Sequence, residues 1–229
     1  MTNPFNLTGK KILLFGGSLA LDKAIIQGIE EHDVTLVVFE EHDINAIEQQ
    51  VKEIVKTNGA FDGVLFSIVH SDFRPLQFVK PDNVNEIMND NFSLFVELMR
   101  SLKKNKGISK GASVVAMSSI SSVRAMKAKM AFCASKAALD AAVRCLAVEL
   151  ADQGIRVNTI LKGGTEADLT KSNVQDMLAV RGESAEESNR QPLGLCTAEE
   201  VSNLVVFLLS DAVRTMTGTS IVIDGGYLA

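Results

Sequence analysis

Short apolar runs alternate with amphipathic stretches along the whole chain. Runs at residues 11–15, 34–39, 64–69, 113–117, 156–161 and 220–223 are rich in Val, Ile, Leu and Phe and end at polar residues or Gly, which predicts strands. Between them, apolar positions recur at helical spacing over residues 21–31, 45–58, 83–104, 131–151 and 198–209. Alternation of this kind predicts an α/β fold, a doubly wound parallel sheet wrapped by helices. The predicted helix 131–151 is apolar almost all round, through Phe132, Ala134, Ala138, Ala141, Cys145 and Val148. Such a helix is expected to be covered on two sides, by the sheet and by a second surface. No repeat, low-complexity tract or linker breaks the pattern, so residues 1–229 are read as one domain.

Composition changes this picture little. Apolar residues make up 46% and charged residues 22%, the balance of a soluble globular protein. The net charge of −5 and the lack of a basic run argue against a nucleic-acid partner. The opening residues lack the apolar core of a signal peptide, and no apolar run is long enough to span a bilayer. Cys133, Cys145 and Cys196 have no metal-ligand spacing, and the first two fall on one predicted helix, about 18 Å apart and out of disulfide reach. Reduced thiols and a cytoplasmic location are the expectation.

Candidate chemistry gathers in one stretch. The fourth apolar run leads into Ser118-Ser119-Ile120-Ser121-Ser122, and after a loop comes Phe132-Cys133-Ala134-Ser135-Lys136. Positions 132 and 136 lie on one face of a helix. This resembles the catalytic centre of the short-chain dehydrogenase/reductase (SDR) family, in which a Ser ends a central strand and a Tyr-x-x-x-Lys pair follows on the next helix. Ser119 stands thirteen residues before position 132, as the family requires, and Asn91 in Asp90-Asn91-Phe92 matches the Asn that anchors a relay water. The resemblance therefore implies catalytic positions Asn91, Ser119, Phe132 and Lys136. The residue that should move the proton is Phe132 instead of Tyr. A positioned acid typically contributes about 10²–10⁴-fold, and Phe has no proton to give. Tyr227, the one tyrosine in the chain, lies far along the sequence.

The resemblance covers nearly the whole chain, on through Ile155-Arg156-Val157-Asn158 to Asp224-Gly225-Gly226. It places dinucleotide contacts at Gly16, Ser18, Leu21, Glu40 and Lys136. The family's first turn reads Thr-Gly-x-x-x-Gly-x-Gly, whose glycines bring backbone N–H groups to a pyrophosphate at a helix N-terminus. Here it reads Phe15-Gly16-Gly17-Ser18-Leu19-Ala20-Leu21-Asp22, so only the first of those glycines stands. A carboxylate at Asp22 about 5 Å from a pyrophosphate would cost about 3 kcal/mol per phosphate charge at an effective dielectric near 20. Asp also suits a helix N-terminus and would itself take the anion's place.

Three further departures matter. The second predicted strand runs almost at once into Glu40-Glu41-His42-Asp43-Ile44, so one helix-strand unit is expected to be missing at a sheet edge. Phe66-Ser67-Ile68-Val69 replaces the family's Asn-Asn-Ala-Gly, and Lys162 replaces the Pro before Gly163. Residues 166–191 fit the family's substrate lid. The expectation is a catalytically impaired SDR-like protein with weak or no dinucleotide binding, NAD(H) being favoured by Glu40 if any binds. The alternatives are an active NAD(P)(H)-dependent oxidoreductase and a ligand-sensing or assembly subunit. A homo-oligomer, dimer or tetramer, is expected on helices 83–104 and 131–151. A small anion is a candidate ligand, drawn by Lys136 and Lys162 with Arg124, Lys127 and Lys129 above them.

Overall fold

Six strands pair in parallel in the computed structural model, which describes residues 3–165 and 191–229. They are β1 (Lys11–Phe15), β2 (Thr35–Phe39), β3 (Phe61–Phe66), β4 (Ile108–Ser119), β5 (Arg156–Lys162) and β6 (Ser220–Ile223), in the order β2-β1-β3-β4-β5-β6. The helices are α1 (Ala20–Glu30), α2 (Ile47–Asn58), α3 (Pro81–Met88), α4 (Leu94–Lys104), α5 (Met130–Glu149) and α6 (Ala198–Leu209). The strand order reverses between β1 and β3, so the carboxyl ends of β1, β3 and β4 frame the crevice in which doubly wound folds bind ligands.

Strand alternation sorts the apolar residues into two cores. Leu13, Phe15, Val64, Phe66, Val114, Ala116 and Val157 face α2, α4 and α5. Their neighbours Ile12, Leu14, Leu65, Val115, Met117 and Ile160 face α1 and α6. Both faces are buried, which is why these strands read as continuous apolar runs. Phe15 and Phe66 stack at 5.6 Å on adjacent strands, with Phe39 and Phe95 edge-on at either side. The bulky residues of the third run thus belong to the core. Gly28 lets α1 and α6 touch, since a Cβ there would meet the Ser202 hydroxyl at 2.2 Å.

Helix α6 is announced in the sequence by a full capping box: Thr197 Oγ1 accepts from the Glu200 N–H, and Glu200 Oε2 accepts from the Thr197 N–H. Three spans differ from expectation, the first being β4, which starts at Ile108 and not at 113. The third strand is Phe61–Phe66, not 64–69: the Ser67 N–H still donates to the Phe15 carbonyl, but the ladder goes no further and the Ser67 hydroxyl bonds Asp22. The predicted helix 83–104 is divided into α3 and α4 by a π-helical turn at Asn89–Ser93, which rotates Asn91 into the interior. The expected lid falls on residues 166–190, outside those described. No described helix is long and apolar enough to cross a membrane.

Candidate functional site

The turn between β1 and α1 is closed by its own carboxylate. Gly16 and Gly17 take φ of 133° and 119°, which side chains other than glycine's rarely allow, and this turns the following N–H groups inward. Leu19 at the N-cap of α1 has no side-chain acceptor. Asp22, fully buried in the first turn, supplies it: Oδ2 accepts from the N–H of Gly17 at 3.0 Å and of Leu19 at 3.1 Å. Its Oδ1 accepts a short hydrogen bond from the hydroxyl of Ser67, just beyond β3. Burial pushes the Asp22 carboxyl above the ordinary carboxylate value, against these three hydrogen bonds, which lower it; nearby Glu40 raises it further. Helix N-termini bind anions through such N–H groups. Here the anion is internal. The cradle does not fit a pyrophosphate as folded, because its amides are engaged and a second anion would face the Asp22 charge.

The other expected cofactor positions divide. Ser18 is exposed and donates to Glu40 Oε1 at 2.9 Å, so these two meet at the mouth of the turn. Glu40 Oε1 also lies 3.0 Å from His42 Nε2, and Asp90 stands between His42 (3.9 Å) and His70 (2.9 Å). Leu21 is buried in the α1–α6 core. Ala20 is exposed at the start of α1.

Lys136 does not open onto the crevice. It is fully buried, and its ammonium donates to the carbonyls of Met117 at 3.0 Å and Ile68 at 3.3 Å. Desolvation pushes its pKa down to about 7, opposed by Asp140 one turn along α5 and aided by Lys162. Three of the five cations expected around the pocket are engaged elsewhere. Lys136 is enclosed, and Arg124 lies over the Tyr227 ring at 4.8 Å. Lys129 lies over the rings of Phe73 (4.2 Å) and Phe132 (4.9 Å). Phe132 is buried beneath that contact. The Arg74 N–H also donates to the Ala128 carbonyl, so the segment after β3 is tied to the loop before α5. Ala128 has a φ of 61°, a strained value for alanine that such surroundings must hold.

Ser119 caps the 3₁₀ turn that follows β4, accepting from the Ser121 N–H at 3.1 Å. Asn91, fully buried, accepts from the His70 N–H at 2.9 Å and donates to the His70 carbonyl at 2.7 Å and to Ser135 Oγ at 3.1 Å. It acts as a strut joining the exit of β3 to α5. Asn91→Ala should lower unfolding free energy by about 2–3 kcal/mol, since groups of His70 and Ser135 lose their partners. Urea denaturation measures this; a loss near zero would show that the strut carries no stability. Two participants escaped the sequence reading, Ser67 and Ser135. The only signal for Ser67 was a small polar residue inside an apolar run.

A family model described as Enoyl-(Acyl carrier protein) reductase matches residues 5–228. This chain belongs to the short-chain dehydrogenase/reductase family. Among SDR proteins it is 27% identical over 249 residues to an L-xylulose reductase of Caenorhabditis elegans, covering 97% of each chain. It is 29% identical over 205 residues to the enoyl-acyl-carrier-protein reductase (NADH) FabI of Bacillus cereus, covering 88% of this chain and 77% of that one. The crystal structure of an SDR protein from Francisella tularensis superposes with a TM-score of 0.83 at 27% identity, over 96% of this chain and 98% of that one.

Proposed function

We propose that this SDR protein is catalytically impaired, with weak or no dinucleotide binding, and that its fold serves binding or assembly. The observation that carries this reading is the Asp22 carboxylate, buried against the amides that a pyrophosphate would need. Phe132 at the acid position and the enclosed Lys136 support it, because proton transfer and ribose contact both lose their usual groups. Titration with NAD⁺, NADH, NADP⁺ and NADPH by calorimetry tests it. No saturation is expected below about 1 mM, weaker than about 4 kcal/mol of binding. Saturable micromolar binding of any of the four would overturn it.

A second reading is an active NAD(H)-dependent oxidoreductase, for which Asn91 and Ser119 at the family's catalytic positions speak, as do relatives named as reductases. NADH consumption by the wild type against a panel of ketones and enoyl thioesters decides between the two. In either reading the protein is expected to be a homo-oligomer. α5 is half buried and half exposed, and Met130, Ala134, Ala141, Cys145 and Val148 form its outer stripe. Light scattering showing only a species of the chain's own mass, 24.7 kDa, would remove that expectation.

A further inference from the structure

Strand β2 ends the sheet, and its outer edge is open. The Thr35 N–H donates to the Lys10 carbonyl and the Phe39 carbonyl accepts from the Gly16 N–H, so the odd residues of β2 face β1. In a parallel ladder the alternate residues point the other way. The N–H and C=O groups of Leu36 and Val38 therefore line the edge, and no described residue pairs with them. The five residues of the strand, Thr-Leu-Val-Val-Phe, carry no charge. Val38 is 42% exposed. An uncharged edge of this kind is a template for another strand.

The sequence brackets that edge with a repeated tetrapeptide. Glu30-Glu31-His32-Asp33 precedes it and Glu40-Glu41-His42-Asp43 follows it. A cleft of about 460 Å³ runs beside the first half of the strand, lined by Glu30, Glu31, His32, Asp33, Val34 and Leu36. Glu30, Glu31 and Asp33 form no ion pair with a described Lys or Arg. In the second tetrad, Glu40 bonds Ser18 and His42, and Glu41 bonds Gln50 and backbone amides, again without Lys or Arg. Each end of the strand thus carries three carboxylates with no described Lys or Arg partner.

We propose that the β2 edge is a docking site for an extended, basic segment of a partner protein, which adds a strand beside Leu36 and Val38. Its Lys or Arg residues would meet the two acidic tetrads. The strand supplies backbone hydrogen bonds, which give affinity without reading sequence, and the tetrads choose the partner. Five strand residues span about 17 Å, so the matching segment has an uncharged stretch of that length between basic groups. Pairing of two β2 strands from two copies is disfavoured. Antiparallel pairing would set the first tetrad of one copy against the second tetrad of the other, six carboxylates at each junction, and like charge suppresses wrong partners. Glu40 of the second tetrad also lies at the mouth of the β1–α1 turn, so the substitutions that test the site are confined to the first tetrad.

The test uses the full chain and a dye-labelled, capped peptide, Lys-Lys-Val-Thr-Val-Thr-Val-Lys-Lys, followed by fluorescence anisotropy. The expected result is saturable binding that weakens as salt rises. The same peptide with Glu in place of Lys should not bind. The exposed substitutions Glu30→Lys, Glu31→Lys and Asp33→Lys together should weaken binding by more than about tenfold, with the thermal unfolding midpoint confirming that the variant is folded. Amide exchange in the complex should slow at Leu36 and Val38. Equal binding of the acidic peptide, or no binding at all, overturns the proposal. So does binding without protection at β2. Protection of Leu36 and Val38 that grows with protein concentration in the absence of peptide would overturn it in favour of self-pairing.

Discussion

Asp22→Gly should tighten NADH binding by about 100-fold over the wild type. The variant removes the carboxylate that accepts from Gly17 and Leu19 and leaves both N–H groups directed at the phosphate position. The electrostatic cost relieved is about 3 kcal/mol per phosphate charge at 5 Å and an effective dielectric near 20, and each 1.4 kcal/mol is tenfold in affinity. Asp22→Asn separates charge from occupancy. It relieves the same repulsion but keeps an oxygen on the Gly17 and Leu19 amides, so any shortfall of its gain from that of Asp22→Gly measures occupancy of the cradle rather than charge. Asp22→Gly also sacrifices three hydrogen bonds and puts glycine in a helical turn, so a stability loss of about 2–3 kcal/mol should accompany it.

The pH behaviour of the wild type and Asp22→Asn should differ in a fixed direction. The folded-state pKa of Asp22 lies above the ordinary value, so its contribution is present at low pH and declines as pH rises through the folded pKa. The wild type should therefore lose stability relative to Asp22→Asn across that rise. Unchanged NADH affinity in Asp22→Gly would show that the carboxylate does not guard the cradle. Even with the cradle open, catalysis needs an acid. Phe132→Tyr alone should stay inactive, since holding the nicotinamide can account for about 7–11 kcal/mol of a barrier. Activity, if restored, should first appear when Phe132→Tyr is combined with Ala20→Gly and Asp22→Gly.

The second large effect concerns Lys136. Compared with Lys136→Met, the wild type should gain stability as pH rises from about 7 toward 10, at up to about 1.4 kcal/mol per pH unit. The sign follows from burial. An amine whose pKa falls from 10.5 to about 7 on folding must shed its proton in the folded state while the unfolded chain keeps one. Stability from this group is complete above the unfolded value and is lost as pH falls to about 7. The full span corresponds to about 5 kcal/mol as an upper bound. The groups that act on it are Asp140 on its own helix and Lys162 on β5. Lys136→Met also strands the carbonyls of Met117 and Ile68 and leaves Asp140, whose Oδ1 has no hydrogen-bond partner, without its nearest cation. These costs shift the whole curve but not its slope. Lys136→Met with Asp140→Asn removes the second of them. Urea unfolding at intervals from pH 6.5 to 10 reads the slope. A flat difference would mean that the ammonium keeps its proton throughout and that the interior solvates it.

The architecture was legible in the sequence because burial leaves a local record. A strand covered on both faces must be apolar throughout, and a helix lying on a sheet must repeat apolar residues every three or four positions, so six strands and most helices could be placed from pattern alone. The short path from β2 to α2 foretold that β2 would end the sheet. Thr197 and Glu200 foretold the start of α6, because both halves of a capping box lie within one turn. Phe132 stood out only through the resemblance to the family's motif, which implies a proton donor at that position. The break at Asn89–Ser93 was not visible, since a π turn keeps the helical apolar spacing on either side and differs by a single residue of winding.

The state of the candidate site was decided by tertiary contacts. Asp22 could be read as a repelling charge or as a cap, and Ser67, 45 residues away, settled its place by donating to it from the end of β3. Lys136 was assigned to the ribose side by its family position, but the carbonyls of Ile68 just beyond β3 and Met117 on β4 drew it inward. Asn91 found its partners on the exit of β3 and on α5. Periodicity records which side of an element is covered, because that depends on neighbours a few residues apart. It does not record which distant donor meets which acceptor. A buried polar group is held by whichever partners the completed fold brings within about 3 Å, and those partners lie far apart along the chain.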